Sequence, residues 1–109
     1  MPANRREIRH SPGFLNTAKE HFPVGGSSDG NPSFELFSRG PLAAASDLFS
    51  RSFEELFEIV PGIRALDTLH TPFFPPITFY AALVDGYIEI LSLSVDDEYW
   101  DLLDGDPDF

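Results

Sequence analysis

The first third of the chain repeats apolar residues at the spacing of an α-helix. One helical face would carry Phe14, Leu15, Ala18 and Phe22. Ser11 is a residue type that caps helix N-termini, and Pro12 stands at the first helical position, where its missing N–H costs nothing. Pro23 cannot continue the helix, so the pattern predicts a helix that ends just before it.

A second apolar stripe at helical spacing begins after Pro41. Its members are Leu42, Ala45, Phe49, Phe53, Leu56, Phe57 and Val60. The pattern predicts helix from residue 41 to residue 60, ended by Pro61-Gly62. Ser46-Asp47 are capping types that could restart the helix after a kink, so one helix or two fit equally. The phenylalanines of this stripe are typical of a core.

The segment between residues 77 and 95 predicts a β-hairpin. Asp85-Gly86 is the dipeptide that a two-residue turn with positive φ at both positions requires. The resulting register pairs Val84 with Tyr87, Leu83 with Ile88, Ala81 with Ile90 and Phe79 with Ser92. One face then carries Leu83, Ile88, Ala81, Ile90 and Phe79, and the other Val84, Tyr87, Tyr80 and Leu91 with Glu89. Apolar residues on both faces place these strands in the middle of a sheet.

Short strands are predicted at residues 5–10, with Ile8 inward, and near residues 64–68, before a proline-containing loop. Residues 24–33 are rich in turn formers and predict a flexible loop. The fold class that follows is α+β in a single domain, residues 1–109. We expect a small antiparallel sheet with two N-terminal helices packed on one face, in the order β-α-α-β-β-β, and an acidic tail at residues 96–109.

Charge is divided unequally along the chain, whose net charge is −11. All seven Lys and Arg lie at or before Arg64, whereas ten of the eighteen carboxylates follow Ala65. The second part repels nucleic-acid phosphate and anionic lipid, which argues against direct nucleic-acid binding and favours a basic protein partner. Solubility is the alternative explanation for the acidic tail.

Cysteine is absent, the N-terminus lacks the apolar segment of a secretory signal, and charges interrupt the longest apolar run. We therefore expect a cytoplasmic protein without a membrane span.

The ordered set of elements resembles the RelE/ParE toxin superfamily. "REIRHSPGFLNTAKEHF" is similar to that family's first strand and its step into the first helix. "FEELFEIVPGIRAL" resembles the second helix and its exit through Pro-Gly, and "ITFYAALVDGYIEILSLSVD" resembles the closing hairpin. The resemblance implies a bacterial toxin–antitoxin-like setting in which an antitoxin is one expected partner.

The chain departs from the family where the catalytic groups of its ribonuclease members stand. Those members carry cations on the sheet face and near the end of the last strand, where they hold phosphate and move protons. Here Phe79-Tyr80 stand at the first position, and Asp96-Asp97-Glu98-Tyr99-Trp100 follow the last strand. The resemblance therefore does not extend to RNA cleavage, and we predict no catalytic residue.

No spacing of ligand residues predicts a metal site or a cofactor. His10, His21 and His70 are far apart in sequence, and the acidic tail lacks the ligand spacing of a calcium loop. Arg5, Arg6, Arg9 and His10 form a basic cluster, which we expect to pair with the acidic C-terminal half of the chain; nucleic-acid binding is the alternative.

Aromatic side chains among carboxylates are a composition of partner-binding segments. The predicted partner-binding residues are Tyr80, Tyr87, Glu89, Asp96, Asp97, Glu98, Tyr99, Trp100 and Asp101. A short helix over residues 98–103 that packs Trp100 on the sheet is the alternative for the tail. The sequence predicts a non-catalytic protein-binding component. The alternative function is an acidic inhibitor or immunity-type protein whose carboxylates imitate nucleic acid and occupy a basic cleft.

Overall fold

Five β-strands form one mixed sheet in the computed structural model, which describes residues 5–27, 30–68 and 74–96. The strands are β1 (Ile8–His10), β2 (Phe57–Val60), β3 (Ile63–Asp67), β4 (Ile77–Val84) and β5 (Tyr87–Val95). Their order across the sheet is β1-β5-β4-β3-β2. The α+β class is confirmed. The sheet is not wholly antiparallel, because β1 pairs with β5 in parallel, and it has one strand more than the predicted order.

The hairpin of β4 and β5 has the predicted turn and a register that changes along its length. Asp85 and Gly86 have φ values of 48° and 91°, as the two-residue turn requires. The register shifts between Tyr80 and Ala81, so Phe79 faces Leu93 and not Ser92 as the sequence predicted.

The register shifts because β5 contains a β-bulge in which Leu91 is the extra residue. Side chains alternate between the two faces of a strand, so an uninterrupted β5 would carry Ser92 and Ser94 to the face of Ile88 and Ile90. The bulge restores Leu93 to that face, where it is buried with them.

Helix α1 (Pro12–His21) begins and ends as predicted. The hydroxyl Oγ of Ser11 accepts a hydrogen bond from the Phe14 N–H at 3.0 Å, which satisfies one of the free donors of the first turn. The same hydroxyl donates to the carbonyl of Leu91 at 3.2 Å. Ser11 therefore joins the helix start to the bulge of β5.

A helical stretch from Phe34 to Glu55 replaces the predicted second helix. It contains α2 (Phe34–Phe37), a π-helical turn (Ser38–Leu42), α3 (Ala43–Ser52) and a 3₁₀ turn (Phe53–Glu55). Pro41 lies inside the π turn, where the wider winding accommodates a residue without an N–H. Helix α3 runs through Ser46-Asp47 without a restart, and the interruption lies earlier, in the π turn.

The described part of loop 24–33 is tied to helix α1. Asn31 is only 8% exposed, and its Nδ2 donates to the carbonyl of His21 at 2.9 Å. Ser33 caps α2 by accepting a hydrogen bond from the Leu36 N–H at 3.3 Å, a helix start that the sequence analysis missed. The flexibility of this loop stays a prediction.

Strand β2 occupies residues that the sequence analysis assigned to a helix, and that prediction is wrong. The helical stretch ends at Glu55, and Arg64 Nη1 donates to the carbonyls of Glu54 and Leu56, both at 2.8 Å. Gly62, at a φ of 89°, then allows the tight turn that returns the chain along β2 as β3. The apolar spacing of Phe57 and Val60 fits a helix, but pairing with β3 decides their conformation.

Phenylalanine rings fill the space between the helices and the sheet. Phe22 and Phe37 stack with ring centroids 4.7 Å apart, and Phe79 of β4 contacts both Phe37 and Phe14 at 6.0 and 6.2 Å. All four rings are fully buried. The core interpretation of the phenylalanine stripe is thus confirmed for Phe49 and Phe53, whereas Phe57 lies outside the core. None of the described helices has the length and apolar character to cross a membrane.

Candidate functional site

The described helices pack against only one face of the sheet. The buried residues Ile77, Phe79 and Ala81 of β4 point toward them, so the alternate residues of β4 point to the opposite face. Residues paired across neighbouring strands share a face. On this basis the open face carries Arg9, Phe57, Val60, Ile63, Ala65, Asp67, Thr78, Tyr80, Ala82, Val84, Tyr87, Glu89, Ser92 and Ser94.

One end of the open face is apolar. Two cross-strand rows begin on β2: Phe57 with Ala65 and Tyr80, and Val60 with Ile63 and Ala82. Phe57 is 72% exposed and Val60 is 49% exposed. We name the group formed by Phe57, Val60, Ile63, Ala65 and Ala82 the apolar corner. It is a contiguous apolar surface at a sheet edge, the kind of surface that contacts other proteins.

Away from the apolar corner the open face is largely polar, and several of its side chains contact one another. Thr78 Oγ1 donates to Asp67 Oδ1 at 2.6 Å, and the Tyr80 and Ser94 hydroxyl oxygens lie 3.3 Å apart. The Arg9 guanidinium carbon lies 3.9 Å from the ring centroid of Tyr87, a cation–π contact. The Ser94 contact orients Tyr80 beside the apolar corner, and the Arg9 contact orients Tyr87 next to β1.

Three of the predicted partner-binding residues share the open face: Tyr80, Tyr87 and Glu89. Tyr80 adjoins the apolar corner, and Glu89 lies in the row of Val60, Ile63 and Ala82. Asp96 follows β5, is exposed and donates its N–H to the carbonyl of Pro76 at 3.1 Å. Asp97, Glu98, Tyr99, Trp100 and Asp101 lie outside the described residues.

Sequence reasoning missed the apolar corner, because it placed Phe57 and Val60 on a helix. A usable signal was present. The β-branched residues Ile59 and Val60 stand immediately before Pro61-Gly62, and an apolar segment follows, which is the order of a strand, a turn and a strand. That order competes with the helical spacing, and β-strand preference is decided by tertiary pairing.

The basic cluster pairs within the chain, but not as the sequence analysis expected. Arg5 contacts Asp47 at 2.9 Å, Arg6 contacts Glu54 at 2.6 Å, and Arg9 contacts Glu7 at 2.8 Å. These carboxylates belong to the N-terminal half of the chain, so the expected pairing with the acidic C-terminal half is not seen among the described residues. The hydrogen bond from Arg6 lowers the pKa of Glu54, and the bond from Arg9 lowers the pKa of Glu7.

One further carboxylate, Asp47, and one histidine, His10, also have shifted pKa values. Hydrogen bonds from Arg51 and then Arg5 lower the pKa of Asp47. Covering of the His10 ring, which stacks on Phe14 with centroids 5.8 Å apart, lowers the pKa of His10. Within the described part of the chain, no three His, Asp or Glu side chains come close enough together to hold a metal ion.

A second candidate surface lies on the helical side of the molecule. Two shallow grooves flank Arg39, with walls that include Phe34, Leu36 and Phe74. Arg39 Nη2 lies 2.9 Å from Glu35 Oε2, so its charge is already paired. The open face therefore remains the stronger candidate.

Comparisons with protein-family models, with curated proteins and with solved structures found no match for this chain. The resemblance to the RelE/ParE superfamily accordingly stays a prediction from sequence motifs.

Proposed function

We propose that this chain is a non-catalytic protein-binding component and that its open face, centred on the apolar corner and Tyr80, contacts the partner. The observation that carries the proposal is the exposed apolar corner on a sheet face that no described helix covers. Exposed apolar surface of this kind costs free energy in water, and a partner that covers it recovers that free energy.

The charge around the open face indicates the chemistry of the partner. Asp67 and Glu89 lie on this face, and Asp85 and Asp96 lie at the ends of its strands. In the described strands Arg9 is the one cation on the face, and it is engaged by Glu7 and Tyr87. A partner with apolar side chains for the apolar corner and basic side chains around them is complementary to this surface.

By the sequence resemblance, the setting we propose is a bacterial toxin–antitoxin-like pair, with either an antitoxin or a basic target protein as the partner. Protein contact is supported by the described side chains of the open face, which are apolar groups, hydroxyls, carboxylates and one cation, Arg9. Arg9 contacts Glu7 and Tyr87, so this face gives no support to RNA cleavage, which needs cations that hold a phosphate. Residues 96–101 of the acidic tail remain a predicted part of the contact.

The test begins with the product of the neighbouring open reading frame as the probe. Both proteins are purified, and the affinity is measured by titration calorimetry for the natural chain and for Phe57→Ser. We expect Phe57→Ser to weaken binding by about tenfold to a hundredfold, because an aromatic anchor in a protein interface contributes roughly 1–3 kcal/mol. Leu36→Ser is the matched control, since Leu36 is also exposed but lies on the helical side. It should leave the affinity unchanged.

Salt distinguishes the proposal from the acidic-inhibitor alternative. Apolar contact retains affinity when salt is added, whereas charge pairing between an acidic inhibitor and a basic cleft is screened over about 10 Å at 0.1 M salt. Equal effects of the two Ser variants, or a steep loss of affinity with salt together with no effect of Phe57→Ser, would reject the open face as the contact.

A further inference from the structure

The outer edge of β2 is unpaired among the described residues, since β2 is the last strand of the sheet order. All four of its residues are exposed, and three of them are apolar: Phe57, Ile59 and Val60. An edge strand presents backbone N–H and C=O groups that another strand can pair with. Proteins guard such edges with lysine, proline, outward charges, short strands or bulges.

Strand β2 has only some of these protective features. The strand is short and its register shifts between Glu58 and Val60, which are two of the protective devices. It contains no lysine and no proline. The Glu58 carboxylate does not act as an outward charge, because its Oε2 accepts a hydrogen bond from the Gly62 N–H at 2.8 Å and is folded back onto the turn.

The sequence of β2 is complementary to itself about a two-fold axis. When two copies pair antiparallel, Phe57 stands opposite Val60 of the second copy, and Glu58 stands opposite Ile59. No like charges oppose one another in this arrangement. A parallel in-register pairing would set Glu58 against Glu58, which is unfavourable. The two-fold arrangement is also the common symmetry of homodimers.

We infer that a second copy of this chain pairs with the β2 edge, so that the described sheets of the two copies join into one continuous sheet. Phe57 and Val60 lie on the open face, so the two apolar corners become one surface that crosses the two-fold axis. The open faces stay uncovered by this contact, and it therefore goes beyond the binding role proposed above. Because the edge is short and bulged, the association is weak, with a dissociation constant of about 10–100 µM.

Net charge gives the association a distinctive salt dependence. Each copy carries a net charge of −11, so the two copies repel one another at long range. Added salt screens this repulsion, and the dimer consequently becomes tighter as salt increases. A basic partner strand at the same edge would show the opposite dependence.

Sedimentation velocity on the full chain tests the inference at protein concentrations of about 10 to 300 µM, in about 50 mM and about 500 mM NaCl. We expect a monomer–dimer equilibrium with more dimer at the higher salt. Ile59→Glu sets two pairs of carboxylates against each other and weakens the dimer by at least about tenfold. Ile59→Lys sets opposite charges together and leaves the dimer as tight or tighter.

The exposed position of Ile59 makes both substitutions compatible with folding, which the denaturation midpoint of each variant checks. Leu36→Glu is the charge-matched control and should not change the dimer constant. A monomer at all concentrations, a dimer that weakens with salt, or equal effects of Ile59→Glu and Ile59→Lys would overturn the inference. Ile59→Glu retains Phe57 and Val60, so loss of the dimer and loss of partner binding are separate outcomes.

Discussion

The two faces of the sheet are built from the same strands and differ in what covers them. On the covered face, Ile77, Phe79 and Ala81 of β4 are buried beneath the described helices. On the open face, Thr78, Tyr80 and Ala82 alternate with them and are half-buried. The covered face therefore contributes most of the apolar burial that stabilises the fold.

Apolar content by itself therefore does not identify a core. Phe57 and Phe79 are the same residue type in neighbouring parts of one sheet, yet one is 72% exposed and the other is fully buried. Apolar side chains of the open face such as Phe57 remain exposed, so we expect their removal to cost little stability. This property is typical of a binding surface. Substitutions on the two faces should separate these two roles.

Phe79→Ala and Tyr80→Ala compare adjacent residues that point to opposite faces. Phe79 contacts the buried rings of Phe14 and Phe37, and its truncation should cost about 3–5 kcal/mol through lost transfer free energy and a cavity. Tyr80→Ala should cost roughly 1 kcal/mol or less, because Tyr80 is only half-buried. Urea denaturation of both variants checks the difference. Equal losses would mean that the open face is covered as fully as the other.

Arg64→Met tests what ends the helical stretch before β2. The guanidinium donates to the carbonyls of Glu54 and Leu56 and lies over the ring of Phe53, with its central carbon 5.4 Å from the centroid. Loss of these bonds should cost about 1–3 kcal/mol and loosen β2. Faster amide hydrogen exchange in residues 57–60 provides the local readout. Arg39→Met, which removes only an exposed pair with Glu35, should change stability by about 0.5 kcal/mol or less.

The smallest expected effect is a pH dependence of the free energy of unfolding. The folded state lowers the pKa of His10, so the unfolded chain binds the proton first, and stability should fall as pH drops below about 6.5. Glu7, Asp47 and Glu54 also have lowered pKa values. Their contribution to the free energy of unfolding is present above about pH 4.5, and it is lost as pH falls through their lowered pKa values.

Two variants separate the parts of this profile. His10→Gln should flatten the profile near neutrality without altering the acid step, and Asp47→Asn should reduce the acid step without altering the profile near neutrality. Denaturation midpoints recorded from pH 3 to pH 8, a span of about five units, measure both. A profile that neither variant changes would show that these contacts are not kept in solution.

The candidate site was predictable in part. Tyr80, Tyr87 and Glu89 were placed on one face correctly, because the Asp85-Gly86 turn fixes the pairing near the turn. The apolar corner was not predictable from helical spacing, since Phe57 and Val60 satisfy a helical and an extended pattern alike.

The sequence alone determined the elements whose causes are local. Ser11 and Pro12 set the start of α1, and Asp85-Gly86 set the hairpin turn, because capping and positive φ depend on a few neighbouring residues. Three features arise only when the whole chain has folded: the parallel pairing of β1, the bulge at Leu91 and the strand at residues 57–60. Those features depend on distant partners, such as the β5 backbone for β1 and Arg64 for the residues before β2, and local preference does not encode distant contacts.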